Sequence, residues 1–459
     1  MSGRNAPMPA GRATRRSRRA AIFGTVAGLV IAGVIIGVNR FSFDAFKPRV
    51  EAALSSATGR QVVIHGRLGL ALSLHPTIAV NDMTVANPAG FSRPDMATVQ
   101  SLDVQLALLP LLHRQVSVDS LVVEKPDVLL ERTASGAVNW QFAPAPKQAA
   151  AAVTPGAPQK VSRPMGLSLS RVRIENARIA YRDDRTGHVA AADVKELALT
   201  SAGTEAPMQV AGQAVVNGLT VDLAGQIGSL AGLQTPGKPW PVALTATAAE
   251  AKLAVEGGIA EPLTGKGYNL AVNASVPDLA ALRPLAPKAG LPTLHNVTFA
   301  AHVADSGGPI PAISGVVLHT GAGDLAPLMP GLTATQASLS VPALDQPITA
   351  ELAGNLKGAP VSFSGTVGPV SKLLTGQPAG PFPIDVSAKS GASSFSAKGG
   401  IADPAHLTGV DVAVTAATPD LAALGGFAGR PLPKLTNVSF SGQVRDLGGL
   451  AKGISFTGM

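Results

Sequence analysis

PTLHNVTF at 292–299 and PKLTNVSF at 433–440 are two versions of one segment. GGIAEP (257–262) returns as GGIADP (399–404), and PDLAAL (277–282) returns unchanged at 419–424. The last two pairs are 142 residues apart and the first 141. Upstream, NGLTVDLAG (217–225) matches KGAPVSFSG (357–365) at an offset of 140. A long unit is therefore duplicated with almost no drift in length. Extended surfaces are built by stacking such units, whereas a catalytic centre seldom needs two copies of a whole face. The second copy stops at Met459, level with Leu318 of the first. The chain is thus expected to end inside a strand, as a truncated or partial protein would.

Inside each copy the period is two. Leu219, Val221 and Leu223 share one face of a predicted strand, as do Leu270 and Val272, Val297 and Phe299, Val361 and Phe363, and Val410, Val412 and Val414. The intervening positions are Thr, Asp, Asn, Ser, Gln or Ala. Alternation of this kind predicts antiparallel sheet with one apolar and one wet face. Only PDLAALRPLAP (277–287) and PDLAALGGFAG (419–429) look briefly helical, too little to cover the apolar face. The remaining solutions are a sandwich, a closed barrel, or a curved sheet whose apolar side holds something else. The residues just named are the candidate lining of such an apolar lane. A second, shorter echo relates LVVEKPDVLLER (121–132) to RVRIENARIAYRD (171–183) at an offset of 51, and reads as a smaller hairpin repeat.

The ends of the chain are read from charge. Net charge is +8, yet Arg4, Arg12, Arg15, Arg16, Arg18 and Arg19 lie before residue 20 with no acid among them. The remainder is close to neutral, which argues against a nucleic-acid face. Residues 20–38 carry no charge, and nineteen residues suffice to cross a bilayer core. The Arg cluster places 1–19 in the cytoplasm and the bulk of the chain across the membrane. The apolar run is too long for a cleavable leader and lacks an A-x-A-like site. A girdle-free barrel through an outer membrane is disfavoured as well. FDAFKPRVEAALSSATG (43–59) predicts a short amphipathic helix, and 142–165 an Ala/Pro-rich linker. The expected organisation is a basic tail (1–19), an anchor (20–38), an N-terminal β region (40–141), the linker (142–165), a β-groove (166–350) and its incomplete copy (351–459).

Reactive constellations are missing from the sequence. There is no Cys, which excludes disulfides and thiol chemistry. The eight His are scattered without an HExxH or a His/carboxylate cluster. Gly232-x4-Gly237-Lys238 is followed by Pro239 where a phosphate loop needs Ser or Thr. The expectation is a non-enzymatic protein without cofactor or metal.

An ordered series of motifs opens the chain. Gly59-Arg60 and Gly66 lead to Pro76, then to Asn87-Pro88 at the end of IAVNDMTVANPAGF (78–91). Leu109-Pro110-Leu111-Leu112 follows, then Val122-Val123-Glu124-Lys125-Pro126 and Gly136-Ala137-Val138-Asn139-Trp140. The series resembles the N-terminal region of the AsmA family of bacterial envelope proteins, whose members are similar to bridge-like lipid transfer proteins. The resemblance implies a mainly β fold: one N-terminal transmembrane helix tethering a long, curved, mostly antiparallel, groove-like sheet in the periplasm. It implies handling of phospholipid between inner and outer membrane and support of envelope integrity. Implied partners are the inner membrane through residues 20–38, phospholipid acyl chains, and outer-membrane or other envelope proteins. The alternative is an assembly factor whose β-surface binds protein and no lipid.

Overall fold

A computed structural model describes residues 43–71, 75–107, 117–141, 168–235, 237–308, 310–375, 381–404, 406, 408–428, 430–446 and 454–458. The expected tail, anchor and linker (1–38 and 142–165) lie outside these residues. Among the described residues no helix is long and apolar enough to cross a membrane. The chain divides into two compact units, 1–191 and 192–459.

In the first unit a 3-10 turn, Phe43–Phe46, runs into the helix Lys47–Thr58, which ends on Gly59 at φ +66°. Glycine suits this left-handed cap because it has no Cβ to clash. The helix fastens to the sheet through polar side chains. Glu51 accepts from the Ile64 amide (2.7 Å), and Ser55 from the Val62 amide (2.9 Å). These amides lie in β1 (Val62–Ile64), which together with β2 (Leu68–Ala71) pairs antiparallel with β3 (Thr77–Ala86). β4 (Asp95–Leu106) follows β3, and both β5 (Ser117–Glu124) and β6 (Asp127–Arg132) pair with β4. Ile64, Leu68 and Val80 form a small core, with Val50 and Leu102 against it.

β7 (Ser168–Asp183) lies parallel to β5 and β6, with Glu124 beside Glu175, Val128 beside Ile179 and Leu130 beside Tyr181. These are the pairs of the 51-residue echo. The echo is therefore a strand-pairing register and not a repeated hairpin. Side-by-side residues in parallel strands share a face, so burial imposes the same pattern on both. Lys125 and Asn176, also neighbours in this register, both have positive φ (46° and 54°) and bend the two strands at one level.

The second unit is a meander. It contains most of β8 (His188–Ser201), then β9 (Met208–Val216), β10 (Leu219–Ile227), β11 (Trp240–Ala248), β12 (Ala251–Glu261), β13 (Lys266–Asp278), β14 (Thr293–Ala304) and β15 (Ala312–Thr320). After the two-residue β16 (Gly323–Asp324) come β17 (Leu332–Ala343), β18 (Ile348–Leu356), β19 (Ala359–Val367), β20 (Phe382–Ser390), β21 (Ser393–Asp403), β22 (Thr408–Asp420), β23 (Thr436–Asp446) and β24 (Ile454–Gly458). Every pairing in this run is antiparallel, and β15 and β16 both bridge β14 to β17. The protein is thus mainly β, with long, mostly antiparallel sheet and few short helices, as the alternation predicts. Two-residue turns such as Asn217-Gly218 and Lys357-Gly358 have positive φ at both positions, the geometry that matches strand twist.

The 140-residue echo corresponds strand for strand. β9 through β13 and β18 through β22 have the same order and the same lengths: nine, nine, nine, eleven and thirteen residues. The echoed residues occupy positions that few side chains fit. A Cβ on Gly257 would run into the Asn269 carbonyl oxygen, and one on Gly399 into that of Asp411. Asp278 and Asp420 cap the 3-10 segments after β13 and β22, accepting from the amides of Ala280 (2.9 Å) and Ala422 (3.0 Å). Asn296 and Asn437, at φ 52° and 54°, are left-handed residues inside strands, a conformation Asn tolerates better than most.

Candidate functional site

Residues directly opposite each other on neighbouring strands point to one side of a sheet, so cross-strand partners can be followed from strand to strand. Leu197 lies opposite Gly212, Gly212 opposite Leu223, and Leu223 opposite Ala246. The row continues through Leu253, Ala274, Phe299, Leu318 and Leu339. It passes on through Ala350, Gly365, Val386, Ala397 and Val414 to Gly442. From β8 to β23 no polar side chain interrupts it. The other candidate lane residues join the same face. Leu219 and Val221 flank Leu223, and Leu270 and Val272 lie opposite Gly257 and Val255. Val297 lies opposite Val276, Val361 opposite Gly354 and Phe363 opposite Leu352. Val410 and Val412 lie opposite Ile401 and Gly399.

The described residues do not close this face over. Val297 and Val412 are buried, but Leu253 and its second-copy equivalent Phe395 are 42% and 44% exposed. Contiguous exposed apolar surface marks a place where something else binds.

The reverse face is polar and cross-linked by short side chains. Gln213 donates to Asp222 (2.8 Å), and the Ser364 and Ser387 hydroxyls are 2.9 Å apart. Lys398 donates to Asp385 at 2.7 Å, and this bond holds its ammonium pKa above the ordinary lysine value. Hydrogen bonds from Gln443 and Arg445 push the Asp411 carboxyl below the ordinary range. The groups on this face are solvated, so their role is to keep it wet and the strands in register. Past the end of β14, two amide bonds, from Gly267 (2.6 Å) and Gly307 (2.8 Å), likewise push the Asp305 carboxyl below its ordinary range.

Two short segments lean on the apolar face. In the first copy Leu279 and Leu282, from the 3-10 stretch Leu279–Leu285, pack on a core of Ala251, Val276, Leu294 and Val297. Asn217 Nδ2, from the β9–β10 turn, donates to the Pro284 carbonyl (2.9 Å) and ties this segment down. In the second copy Lys357 Nζ reaches the Phe427 carbonyl (3.4 Å) in the equivalent way. There Leu421, Leu424 and Phe427 face Leu352, Phe363, Phe395 and Phe440 across a cavity of about 540 Å³.

The opening motifs converge in the first unit on a buried polar node. Arg60 donates to the carbonyls of Asn139 (3.0 Å) and Gln141 (2.8 Å). Asn139, fully buried, donates to Asn87 (3.0 Å) and to the Leu129 carbonyl (2.7 Å), and accepts from the Glu131 amide (2.9 Å). The Glu131 carboxylate, only 1% exposed, accepts from the hydroxyl (2.6 Å) and amide (3.1 Å) of Ser92. Trp140 packs on Tyr181 with ring centroids 6.1 Å apart. The Gly59-Arg60, Asn87-Pro88 and Gly136–Trp140 motifs are thus one structure. Residues 16–296, more than half of the chain, match the family model described as AsmA family. The chain belongs to the AsmA family. The AsmA family protein YhjG of Escherichia coli (strain K12) is 24% identical over 299 residues, covering 58% of this chain and 42% of that relative. This AsmA-family chain therefore aligns with less than half of its curated relative's length. No solved structure matches it. Membership of the AsmA family points to an envelope-related role.

Sequence reading missed two features of this AsmA-family protein. Glu131 and Ser92 are 39 residues apart and form no recognisable spacing. The cavity was detectable in principle, because it lies where the two copies differ in residue type.

Proposed function

We propose that this AsmA-family protein is a non-enzymatic envelope protein that conducts phospholipid along its apolar β-face. In this reading residues 20–38 anchor it in the inner membrane with the N-terminus cytoplasmic. The bulk stands in the periplasm and passes lipid toward the outer membrane in support of envelope integrity. The observation that carries the proposal is the uninterrupted apolar row from Leu197 to Gly442. An acyl chain held in water loses about 0.8 kcal/mol for each CH₂ left exposed. A surface that offers apolar contact at every strand removes that cost without gripping any head group. Strand spacing of about 4.8 Å makes the row roughly 70 Å long, far more than one small-molecule site needs. Ala and Gly recur along it between Leu, Val and Phe, which leaves width for a chain to lie flat. The polar reverse face, with paired charges such as Lys398–Asp385, keeps the sheet soluble on its other side.

Photo-crosslinking amino acids at Val221, Leu223 and Phe363 should capture phospholipid in cells, and those at Thr220 and Ser364 should not. Capture of protein at the first set with no lipid would favour the assembly-factor reading. Equal labelling of both faces would remove the basis for a lane.

A further inference from the structure

The two copies of the repeat differ where the short helical segments lean on the sheet. In the first copy Ala248, Ala251 and Val276 stand at this edge, and Ala251 and Val276 are buried beneath Leu279 and Leu282. The same positions in the second copy, 142 residues on, are Ser390, Ser393 and Thr418. The Ser393 and Thr418 hydroxyls are 2.8 Å apart, and Thr418 reaches the Asp420 carbonyl at 3.0 Å. Three positions that are apolar in the first copy carry three hydroxyls in the second. All three line the cavity of about 540 Å³. Ser362, Lys389 and Ser394 also border it, but the strand pairing turns their side chains to the reverse face, and the rest of its wall is apolar. Leu352, Phe363, Ala388, Phe395, Ala416 and Phe440 form one cross-strand row in which, from Phe363 onward, large and small residues alternate. Leu421, Leu424 and Phe427 face it from the strap.

We infer that the second repeat holds a discrete binding site for one unbranched acyl chain, whose oxygenated head meets the β20–β21 hairpin. The inference rests on the lipid reading above and makes the lane non-uniform: the first copy is a packed passage, and the second a compartment in which a lipid halts. The volume falls within the roughly 300–1,000 Å³ usual for small-molecule sites. A long apolar wall with a few convergent polar groups at one end fits a molecule with a tail and a head. Hydroxyls at that end suit the oxygens of a carboxylate or an ester. Lys357, which holds the strap at Phe427 by one exposed bond, sets how readily the compartment opens.

The repeat supplies its own control. Ala388→Leu fills the compartment, and Ala246→Leu makes the same change 142 residues earlier, outside it. The full chain is titrated with cis-parinaric acid displaced by palmitate. In a second arm it is incubated with phosphatidylethanolamine/phosphatidylglycerol vesicles, re-isolated, and its lipid counted by mass spectrometry. The arms distinguish a free fatty acid from a phospholipid as the source of the chain, and tight uptake in either supports the site. Ala388→Leu should weaken that uptake about tenfold, equivalent to about 1.4 kcal/mol. Ala246→Leu should change it by less than about threefold, equivalent to roughly 0.6 kcal/mol. Lys357→Met should speed release without altering the amount bound at saturation. Equal effects of Ala388→Leu and Ala246→Leu, or no effect of either, would overturn the compartment while leaving the lipid lane in place. No uptake by the wild-type chain in either arm would overturn both. Should Ala388→Leu fail to fold, the exchange Ser393→Ala with Thr418→Val restores the first-copy residues. It should weaken palmitate binding about fivefold, and unchanged binding would overturn the head-end assignment.

Discussion

Replacing Leu223 with glutamate places one carboxylate in the apolar row at a point outside the cavity. Leu223 lies opposite Gly212 on one side and Ala246 on the other, so no side chain across the strand can hydrogen-bond the new group. Leu223 is half-buried, and losing its contacts should cost about 1 kcal/mol of stability, part of the 1.5–3 kcal/mol of a fully buried leucine. The effect on an acyl chain is larger. An ionised carboxylate pressed against hydrocarbon is so unfavourable that protonation is the cheaper route. From an ordinary glutamate pKa of about 4.3, protonation at pH 7 costs about 3.7 kcal/mol, a factor of roughly 500. Purified Leu223→Glu protein should therefore pass lipid between donor and acceptor vesicles far more slowly than wild type at pH 7. It should recover most of the deficit near pH 5, where the same cost is about 1 kcal/mol. Thr220→Glu, three residues away on the polar face, should match wild type at both pH values. The reasoning fails if Leu223→Glu transports normally at pH 7, if its deficit ignores pH, or if Thr220→Glu is impaired as much.

Four further outcomes are expected. Gly257→Ala and Gly399→Ala drive a Cβ into a facing carbonyl oxygen and should each cost more than about 2 kcal/mol in denaturant melts, whereas Gly203→Ala, with open space around it, should stay within about 0.5 kcal/mol. Asn139→Ala strips partners from the Glu131 amide and the Leu129 carbonyl and should destabilise the first unit by about 3 kcal/mol, read by thermal melting; a shift within error would mean that the node is solvated. The Asp305 carboxyl is held below its ordinary range, so its contribution to stability is complete at neutral pH and fades as pH falls below about 4; the gap in melting temperature between wild type and Asp305→Asn should close over that range, and a constant gap would assign the bonds no role. A reporter active only in the periplasm, fused after Trp140, should be active and membrane-bound, and a soluble, shortened product would remove the anchor from the proposal.

Strands were legible because burial on one side of a sheet writes a period of two into the sequence, and Val221, Phe299 and Phe363 could be assigned to a face from that alone. Whether those faces join was not legible. Alternation fixes a side within one strand and is silent on the register between strands. Irregularities between Ala300 and His302, and between Ala334 and Gln336, shift the pairing in ways that no spacing announces. The 51-residue echo shows the same limit from the other direction. A shared pattern meant shared surroundings, but side-by-side pairing and repetition leave the same trace in sequence. The buried node around Glu131 had no trace at all, since its partners Ser92 and Asn139 come from separate loops.

The repeat carried more information than its matches revealed. Conserved echoes such as Gly257 and Gly399, or Asn296 and Asn437, mark backbone conformations that both copies must adopt, so they report the scaffold. The mismatches report what is placed on it. Ala251 and Val276 against Ser393 and Thr418 is a change that the scaffold does not require, because one fold carries both. A hydroxyl pair on an apolar face has to be satisfied at some cost, and the second copy satisfies it by turning Ser393 and Thr418 toward each other. Packing alone would favour the first-copy residues at both places. Their absence from the second copy therefore argues that something other than packing acts there, and the adjoining cavity gives that selection a physical object.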